Sequence, residues 1–509
     1  MNAEGYVTDV GYTAGFYREM APSHLALAAV LAGFSPGRAL RPKRVLELGF
    51  GQGFGLALLA AANPDVEFEG RDANAEHVVY ARRLIDGAEL SNIAVSQGRF
   101  EDAAARGGDN DVDVIALHGV LSWISREAQD AVVAVARQRL RPDGLLYVSY
   151  NCMPGWAPMA PIRELALEVG RRTGGGAEQQ LQLALDLLAG LRQRGAVYFT
   201  ANPAAARHLE GMLGMDRRYL VHEYLGEHWN PLSFAEVASR MAEAELSYAT
   251  SATLTENLDL CSVPRDVLPL LSQAYDPILR ETLRDFGANK QFRRDIYSRG
   301  RGPLTEDALR QILSTLGFAL VVPRRRIVFR FPGPLTVLNG NPELYAPIAD
   351  ALAAGTATFD QLLALPAFGE SRTGMLMECL TLLVHSGQVL PVMPGMGADA
   401  APAKRFNRMV IDQVRAGRVF DNLASPVART GIPLTDFGLL ALVAVQDGAA
   451  VEVGAVAQHG LDLLKKLNRR PLKNGKPIES DREAANFLAE YMQPLIDESV
   501  PLWRRLGML

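Results

Sequence analysis

The stretch Arg44-Val45-Leu46-Glu47-Leu48-Gly49-Phe50-Gly51-Gln52-Gly53-Phe54-Gly55 decides the fold. A short apolar run enters a set of alternating glycines and leaves as a helical pattern over Phe54 to Ala62. Glycines at such a strand-to-helix turn let the backbone approach a ligand closely, and the helix N-terminus behind them offers free N–H donors. A dinucleotide fingerprint needs G-x-G-x-x-G. Counting from Gly49, Gly51 or Gly53, the third glycine falls instead on Phe54, Leu56 or Leu58. A phosphate loop needs Gly-Lys-[Ser/Thr], and no lysine follows. The turn reads E-x-G-x-G-x-G, and the acid before it suits a cationic amino-acid tail better than a pyrophosphate.

Outward from that turn, the apolar runs RVLEL, VEFEG, IAVSQ, VDVIAL and LLYVSY alternate with helical patterns over Phe54 to Ala62, Ala75 to Gly87 and Arg126 to Arg139. This β-α alternation predicts a doubly wound parallel sheet, an α/β fold, over residues 1–160. The turn Arg141-Pro142-Asp143-Gly144 is expected to stop the last helix. Beyond it, helices over Pro161 to Arg172 and Gln179 to Gln193 predict a helical insertion across 161–215. A strand Tyr219 to Leu225, a helix Ser233 to Glu243 and a strand Leu246 to Thr253 are expected to complete the core over 216–255. A helical middle domain over 256–340 follows, with a basic turn at Arg324 to Arg326 leading into an IVFRF strand. A mixed C-terminal domain spans 341–509, with a linker at Met393 to Ala403 and helices at Leu439 to Val445 and Arg482 to Ser499.

At 509 residues the chain is long enough for two to four domains at ~150 residues each. Its 48% hydrophobic and 21% charged content is that of a soluble globular protein. A net charge of -5 supplies no global field for nucleic acid or anionic membrane, and the short clusters Arg324 to Arg326, Lys465-Lys466 and Arg469-Arg470 are expected to be solvated faces. Three cysteines, Cys152, Cys261 and Cys379, in no C-x-x-C spacing, argue against a disulfide framework or cysteine zinc site. The N-terminus MNAEGYVTDVGY lacks a signal-peptide pattern, and no apolar run approaches ~18 residues. A cytoplasmic protein without membrane insertion is expected.

The glycine turn resembles motif I of class I S-adenosylmethionine (SAM) methyltransferases. Further segments sharpen the likeness: YTAGFYREMAPSHL (Tyr12 to Leu25), LHGVLSWI (Leu117 to Ile124), YVSYNCMPGW (Tyr147 to Trp156), YLVHEY (Tyr219 to Tyr224) and NKQFRRDI (Asn289 to Ile296). Together these resemble bacterial methyltransferases that carry a regulatory domain after the SAM-binding core, a group that includes rickettsial protein-lysine methyltransferases acting on outer-membrane proteins. The similarity continues, less specifically, through NGKPIE and LWRRLG near the C-terminus. It implies a SAM-dependent enzyme with S-adenosylhomocysteine as product, needing no metal. The middle domain would then be regulatory.

The expected cofactor contacts are Glu47, Gly49, Phe50, Gly51 and Gly53 in the turn, and Asp72 with Ala73 after the second strand, where a carboxylate accepts from ribose hydroxyls. The resembling families show Gly-Asp after the third strand, but this chain has Gly98-Arg99-Phe100-Glu101-Asp102. Arg99 cannot accept from the adenine amino group, which leaves the Phe100 backbone, Glu101 or Asp102. His118, at the carboxyl edge after the fourth strand, is expected near the cofactor and as a base or positioning group. Trp123, Tyr150 and Trp156 complete the expected catalytic set, their rings suited to a sulfonium or alkylammonium; packing anchors are the alternative for the two tryptophans.

His222 and Glu223 would face the same cleft if their segment were a strand; surface positions are the alternative. H-E-x-x-H fails at Gly226, Cys152 lacks a deduced base, and the N-P-P-[YF] motif of amino methyltransferases is replaced by Leu117-His118-Gly119-Val120. The leading expectation is methyl transfer to a protein side chain, a lysine amine, with a protein partner and a homodimer allowed. Methylation of a glycan or small molecule, and a SAM-binding regulator without turnover, remain open at this stage.

Overall fold

The computed structural model describes residues 15–509 apart from 107, 227, 301, 334, 370, 371 and 394–398. The opening dodecapeptide, the first three residues of the Tyr12 to Leu25 segment and most of the linker before Ala401 therefore lie outside the described residues. A seven-stranded sheet forms the centre: β1 (Arg44–Leu48), β2 (Glu67–Asp72), β3 (Ile93–Gln97), β4 (Val112–Leu117), β5 (Leu140–Asn151), β6 (Leu246–Ser251) and β7 (Phe292–Arg299). Its order is β3-β2-β1-β4-β5-β7-β6. β1 to β5 are mutually parallel, and β7 runs antiparallel between β5 and β6. The order reverses between β1 and β4, and there the glycine turn and His118 leave the carboxyl ends of their strands, the crevice where such sheets bind ligands.

The helices read from the sequence close the sheet. Phe54–Ala62, Ala75–Gly87 and Arg126–Arg139 form as expected, the last two capped by Asn74 and Ser125, whose side chains accept from Glu76 N and Ala128 N. The Arg141 to Gly144 turn lies within β5, which already pairs from Leu140, with Asp143 at φ 66°. Helices Ala160–Arg172, Ala177–Gln193, Pro203–Met212 and Arg217–Leu225 enclose a separate apolar core that includes Ile162, Leu185, Leu209 and Tyr224.

Two expectations change. Tyr219 to Leu225 is helix, not strand. The alternation YLVHEY fits both periods, and the helical one wins because Leu220, Val221, Tyr224 and Leu225 then all reach the insertion's core. The section expected to be a helical middle domain contributes β7 to the central sheet, and strand Gly317–Leu320 to a three-stranded sheet with Ala357–Thr358 and Val389–Val392. Charged residues hid β7. Arg293 and Asp295, both buried, bond to each other at 2.9 Å, and Arg293 also holds Asp285 at 2.6 Å and Glu281 at 3.0 Å. Mutual pairing is what lets such charges sit inside. Only the end of IVFRF is strand, Arg330–Pro332.

The C-terminal section docks on the helix that follows the glycine turn. Phe54 meets the rings of Phe406 and Phe420 at 5.8 and 4.8 Å. Asn63 Nδ2 donates to Arg429 O at 3.0 Å, while Arg429 Nε donates back to Asn63 Oδ1 at 2.8 Å. Of the basic clusters, Arg324 pairs with Asp350, Arg325 with Glu498 and Lys465 with Asp481, each at 2.6 Å. These charges face carboxylates of the same chain.

Candidate active site

At the glycine turn, Gly49, Gly51 and Gly53 all have positive φ, 74°, 59° and 74°. A Cβ on Gly49 would lie 2.6 Å from Val120 Cγ2, and one on Gly53 2.6 Å from Ala81 Cβ, so those two are required by packing. Around Gly51 nothing lies within 4 Å, and the same holds at Gly119, φ 63°, across the cleft. These two glycines leave an open approach surface, which is the space a cofactor backbone needs. Phe50 is buried against Gly70 of β2 and supports the turn from below.

Glu47 is buried at the end of β1. Burial, with the nearby charge of Asp72, pushes its carboxyl up to about 8. A buried neutral acid at the cleft suits a bound ammonium, which would draw the carboxylate form out. Asp72 accepts from Gly51 N at 2.8 Å, Asn74 N at 2.9 Å and His77 Nδ1 at 3.1 Å, so it fixes the turn as well as lying where ribose hydroxyls are expected. Ala73, exposed beside it, accepts from Gln97 Nε2 through its carbonyl. At Gly98-Arg99, a Cβ on Gly98 would lie 2.5 Å from Arg71 Nη1, which donates to the Arg99 main-chain O at 3.2 Å. Asp102 accepts from Arg99 N at 3.3 Å and Glu101 pairs with the Arg99 side chain at 3.5 Å, while Phe100 is buried.

On the other side of the cleft, His118 Nδ1 lies 2.7 Å from Tyr147 Oη and 3.2 Å from Ser149 Oγ, and Ser149 Oγ accepts from Gly119 N at 2.8 Å. Burial holds the Tyr147 phenol protonated, and as both donor and acceptor it pairs with Nδ1 in either ring tautomer. Burial and the Arg294 cation lower His118 to about 3, so the imidazole is neutral at physiological pH and far too weak a base to take a proton from an amine. The geometry makes it a positioning group. The Tyr17 ring stacks on it, centroids 3.8 Å apart.

The insertion brings a carboxyl to the Tyr17 side of the cleft. Helix Arg217–Leu225 places Tyr219 and Glu223 four residues apart, on one face. Burial pushes Glu223 up to about 7 against the opposing pull of Asn151 and Tyr219, and its charge is felt at Tyr17. Nothing is described of the His222 side chain.

The remaining expected residues do not converge on His118. Along β5 alternate side chains leave opposite faces; Tyr147 and Ser149 turn towards His118, and Tyr150 turns away. Tyr150 is 1% exposed, and its hydroxyl donates to Asp295 at 2.6 Å. Trp156 is a packing anchor, edge-on to His208 and Trp229 at 5.4 and 5.6 Å. Trp123 ends the short turn Leu121–Trp123, half-buried. Cys152 is buried beside Asp285, 3.5 Å away, and burial drives its thiol far up, so it is inert. Behind β7, a cavity of about 210 Å³ is lined by Glu256, Lys290, Arg284 and Asp285, charges already paired within the protein. Among the described residues no group of three or more His, Cys, Asp or Glu could hold a metal ion, and no helix is long and apolar enough to cross a membrane.

A doubly wound sheet with this turn, acid and open glycine surface defines a SAM-dependent methyltransferase. Residues 45–144 match the family model of a methyltransferase domain, and residues 216–299 that of a predicted methyltransferase regulatory domain. An uncharacterised protein of Synechocystis sp. is 32% identical over 510 residues, 99% of each chain. The chain belongs to the methyltransferases that carry this regulatory domain. A Rickettsia prowazekii protein is 26% identical over 304 residues, 58% of this chain and 53% of its own. Among solved structures, PKMT2 of Rickettsia typhi, in complex with AdoHcy, superposes with a TM-score of 0.69 at 19% identity, covering 98% of this chain and 99% of that one. The likeness to it is one of fold.

Proposed function

We propose that this enzyme methylates an amine on a protein, a lysine side chain, and that Glu223 takes the amine proton. The observation that carries the reading is Glu223 itself: a half-buried carboxyl that desolvation raises to about 7, beside Tyr219 and felt at Tyr17, whose ring covers His118. Bound SAM supplies a methyl group on a departing sulfonium sulfur. Glu47, Gly51 and Asp72 would hold the amino-acid and ribose portions, and the Phe100 backbone, Glu101 or Asp102 would meet adenine. His118 and the aromatic walls orient the acceptor nitrogen for in-line attack, which supplies much of the acceleration.

An acceptor lysine, ordinarily near pKa ~10.4, must lose a proton before it attacks. The N–C bond forms as the S–C bond breaks, and the proton ends on Glu223. Aromatic rings stabilise an alkylammonium before transfer, by cation–π contact. The residues from 256 to the C-terminus also outnumber the 1–160 core, which suits a large acceptor. Incubation with labelled SAM and a bacterial lysate tests this: a protease-sensitive band whose label maps to lysine is expected. Label confined to a protease-resistant glycan or a small-molecule fraction overturns the protein assignment.

A further inference from the structure

The segment just before the first long helix, part of a motif whose role the cofactor does not explain, crosses the mouth of the site. Three consecutive side chains there go to three different places. Phe16 lies against the start of the cofactor helix and against the C-terminal hairpin: a Cβ on Gly55 would meet Gly15 O at 3.3 Å and Phe16 Cδ2 at 3.8 Å, and one on Gly431 would meet the Phe16 ring at 2.6 Å. Arg18 reaches the other way, to the C-terminus of helix Thr373–His385, donating from Nη1 to Val384 O at 3.0 Å and from Nη2 to His385 O. A cation there satisfies carbonyls that the helix itself leaves open. Between these anchors, Tyr17 lays its ring flat on His118 and remains 40% exposed on its outer face.

We propose that Phe16–Arg18 is a strap that makes the acceptor side of the site conditional on docking of both later sections of the chain, with Tyr17 as the positioning residue it holds over His118. The anchors carry the argument. Neither contact of Phe16 with Gly431 nor of Arg18 with Val384 exists unless the hairpin at Thr430–Pro433 and helix Thr373–His385 are seated, and either loss frees one end of a three-residue span. The cofactor contacts at Glu47, Gly51 and Asp72 do not involve the strap. Loss of either anchor contact would therefore open the acceptor wall while Glu47, Gly51 and Asp72 keep their places. That Tyr17 walls the acceptor pocket rests on the proposed function above; the coupling through the strap does not.

The test needs no acceptor. In full-length protein with carbon-13-labelled histidine, the His118 ring reports whether Tyr17 covers it. Arg294 from β7, Glu19 from the strap's own turn, and the Tyr147 and Tyr17 phenols are the charged or titratable groups that act on that ring. Wild-type His118 is expected to show no titration between pH 5 and 7, its midpoint lying near 3. Tyr17→Ala should move its resonance and bring its midpoint up into that window as water reaches the ring. Arg18→Ala and Gly431→Ala, each acting from a different anchor, should do the same in the same direction, with SAM affinity by calorimetry unchanged. If Arg18→Ala unfolds, Arg18→Lys keeps the charge but not the two-carbonyl fork and should give a partial displacement.

His118 left at its wild-type position by both anchor variants, while Tyr17→Ala shifts it, overturns the strap. No shift in Tyr17→Ala overturns the stacking itself. A wild-type protein that shows the expected resonances but labels no protein in lysate leaves the strap standing and removes only the acceptor assignment.

Discussion

Glu47 makes cofactor binding a proton-release reaction. Its carboxyl, about 8 in the free protein from burial and the neighbouring Asp72, is mostly protonated at neutral pH. An ammonium placed against it favours the carboxylate, so the complex loses a proton that the free protein holds. Linkage then sets the slope: as pH rises from the carboxyl's lower value in the complex towards about 8, SAM affinity should improve about tenfold, or 1.4 kcal/mol, for each pH unit. Above about 8 the gain ends, because the free carboxyl is then already ionised and the ligand's own amine begins to lose its proton near ~8.

Titration calorimetry near pH 6.5, in buffers of different ionisation enthalpy, should return close to one proton released per site. Glu47→Gln should flatten the slope and weaken binding at pH 8 by about 1.5–3 kcal/mol, the worth of a hydrogen bond to a charged group. The ligand-free enzyme should respond with the opposite sign. Because the folded carboxyl sits above its ordinary 4.5, the folded state keeps a proton that the unfolded chain has lost, so stability declines as pH rises from there to about 8. Glu47→Gln should therefore melt higher than wild type at pH 8 while binding SAM less well. A pH-independent affinity in the wild type, with no proton released, would refute the placement of Glu47 against the ammonium.

Other outcomes follow from the same geometry. Gly51→Val puts a side chain into open cleft at φ 59° and should abolish SAM binding in calorimetry, with the melting temperature lowered only slightly by local strain. Glu223→Gln should lower kcat about 10²–10⁴-fold without changing SAM affinity, and should remove the rise in turnover that the wild type shows as pH passes about 7 and the carboxylate forms. Tyr150→Phe, which strips a buried donor from Asp295, should cost about 1.5–3 kcal/mol in denaturant unfolding and leave SAM affinity unchanged. A turnover defect in Tyr150→Phe without that loss of stability would return the residue to the reacting centre.

The glycine turn and the placement of Glu47 and Asp72 beside it were legible in the sequence because their determinants are local. Glu47, Gly49, Gly51 and Gly53 act through backbone conformation within one turn, and the strand before it sets Asp72 at the same edge by register, Leu48 opposite Arg71. The helices over Phe54–Ala62 and Arg126–Arg139 were legible for the same reason, since period and caps lie inside the segment. The acceptor half depends on which face a side chain takes once distant segments have met. Tyr147 and Tyr150 read alike in YVSYNCMPGW, and only the pairing of β5 with β7, Ser149 opposite Arg294 and Tyr150 opposite Arg293, decides that one faces His118 and the other a buried ionic network. β7 was itself unreadable, because its charges look like surface until Asp285 and Glu281 arrive from another helix.

Glu223 shows how a candidate residue can reach the cleft by a route other than the expected one. As a strand, Tyr219 to Leu225 would have set Tyr219, Val221 and Glu223 on one face; as a helix it sets Tyr219 with Glu223 and sends Val221 into the insertion's core. Both periods aim the carboxyl the same way relative to Tyr219, but only the helical one buries the residues around it, and burial is what lifts Glu223 to about 7. A strand at the sheet edge would have left an ordinary solvated carboxylate, unable to hold or exchange a proton near neutrality. The insertion thus shapes the carboxyl's chemistry: its apolar core, Leu220, Val221, Tyr224 and Leu225, sets the surroundings that raise a common glutamate towards neutrality, the property the proposed proton transfer requires.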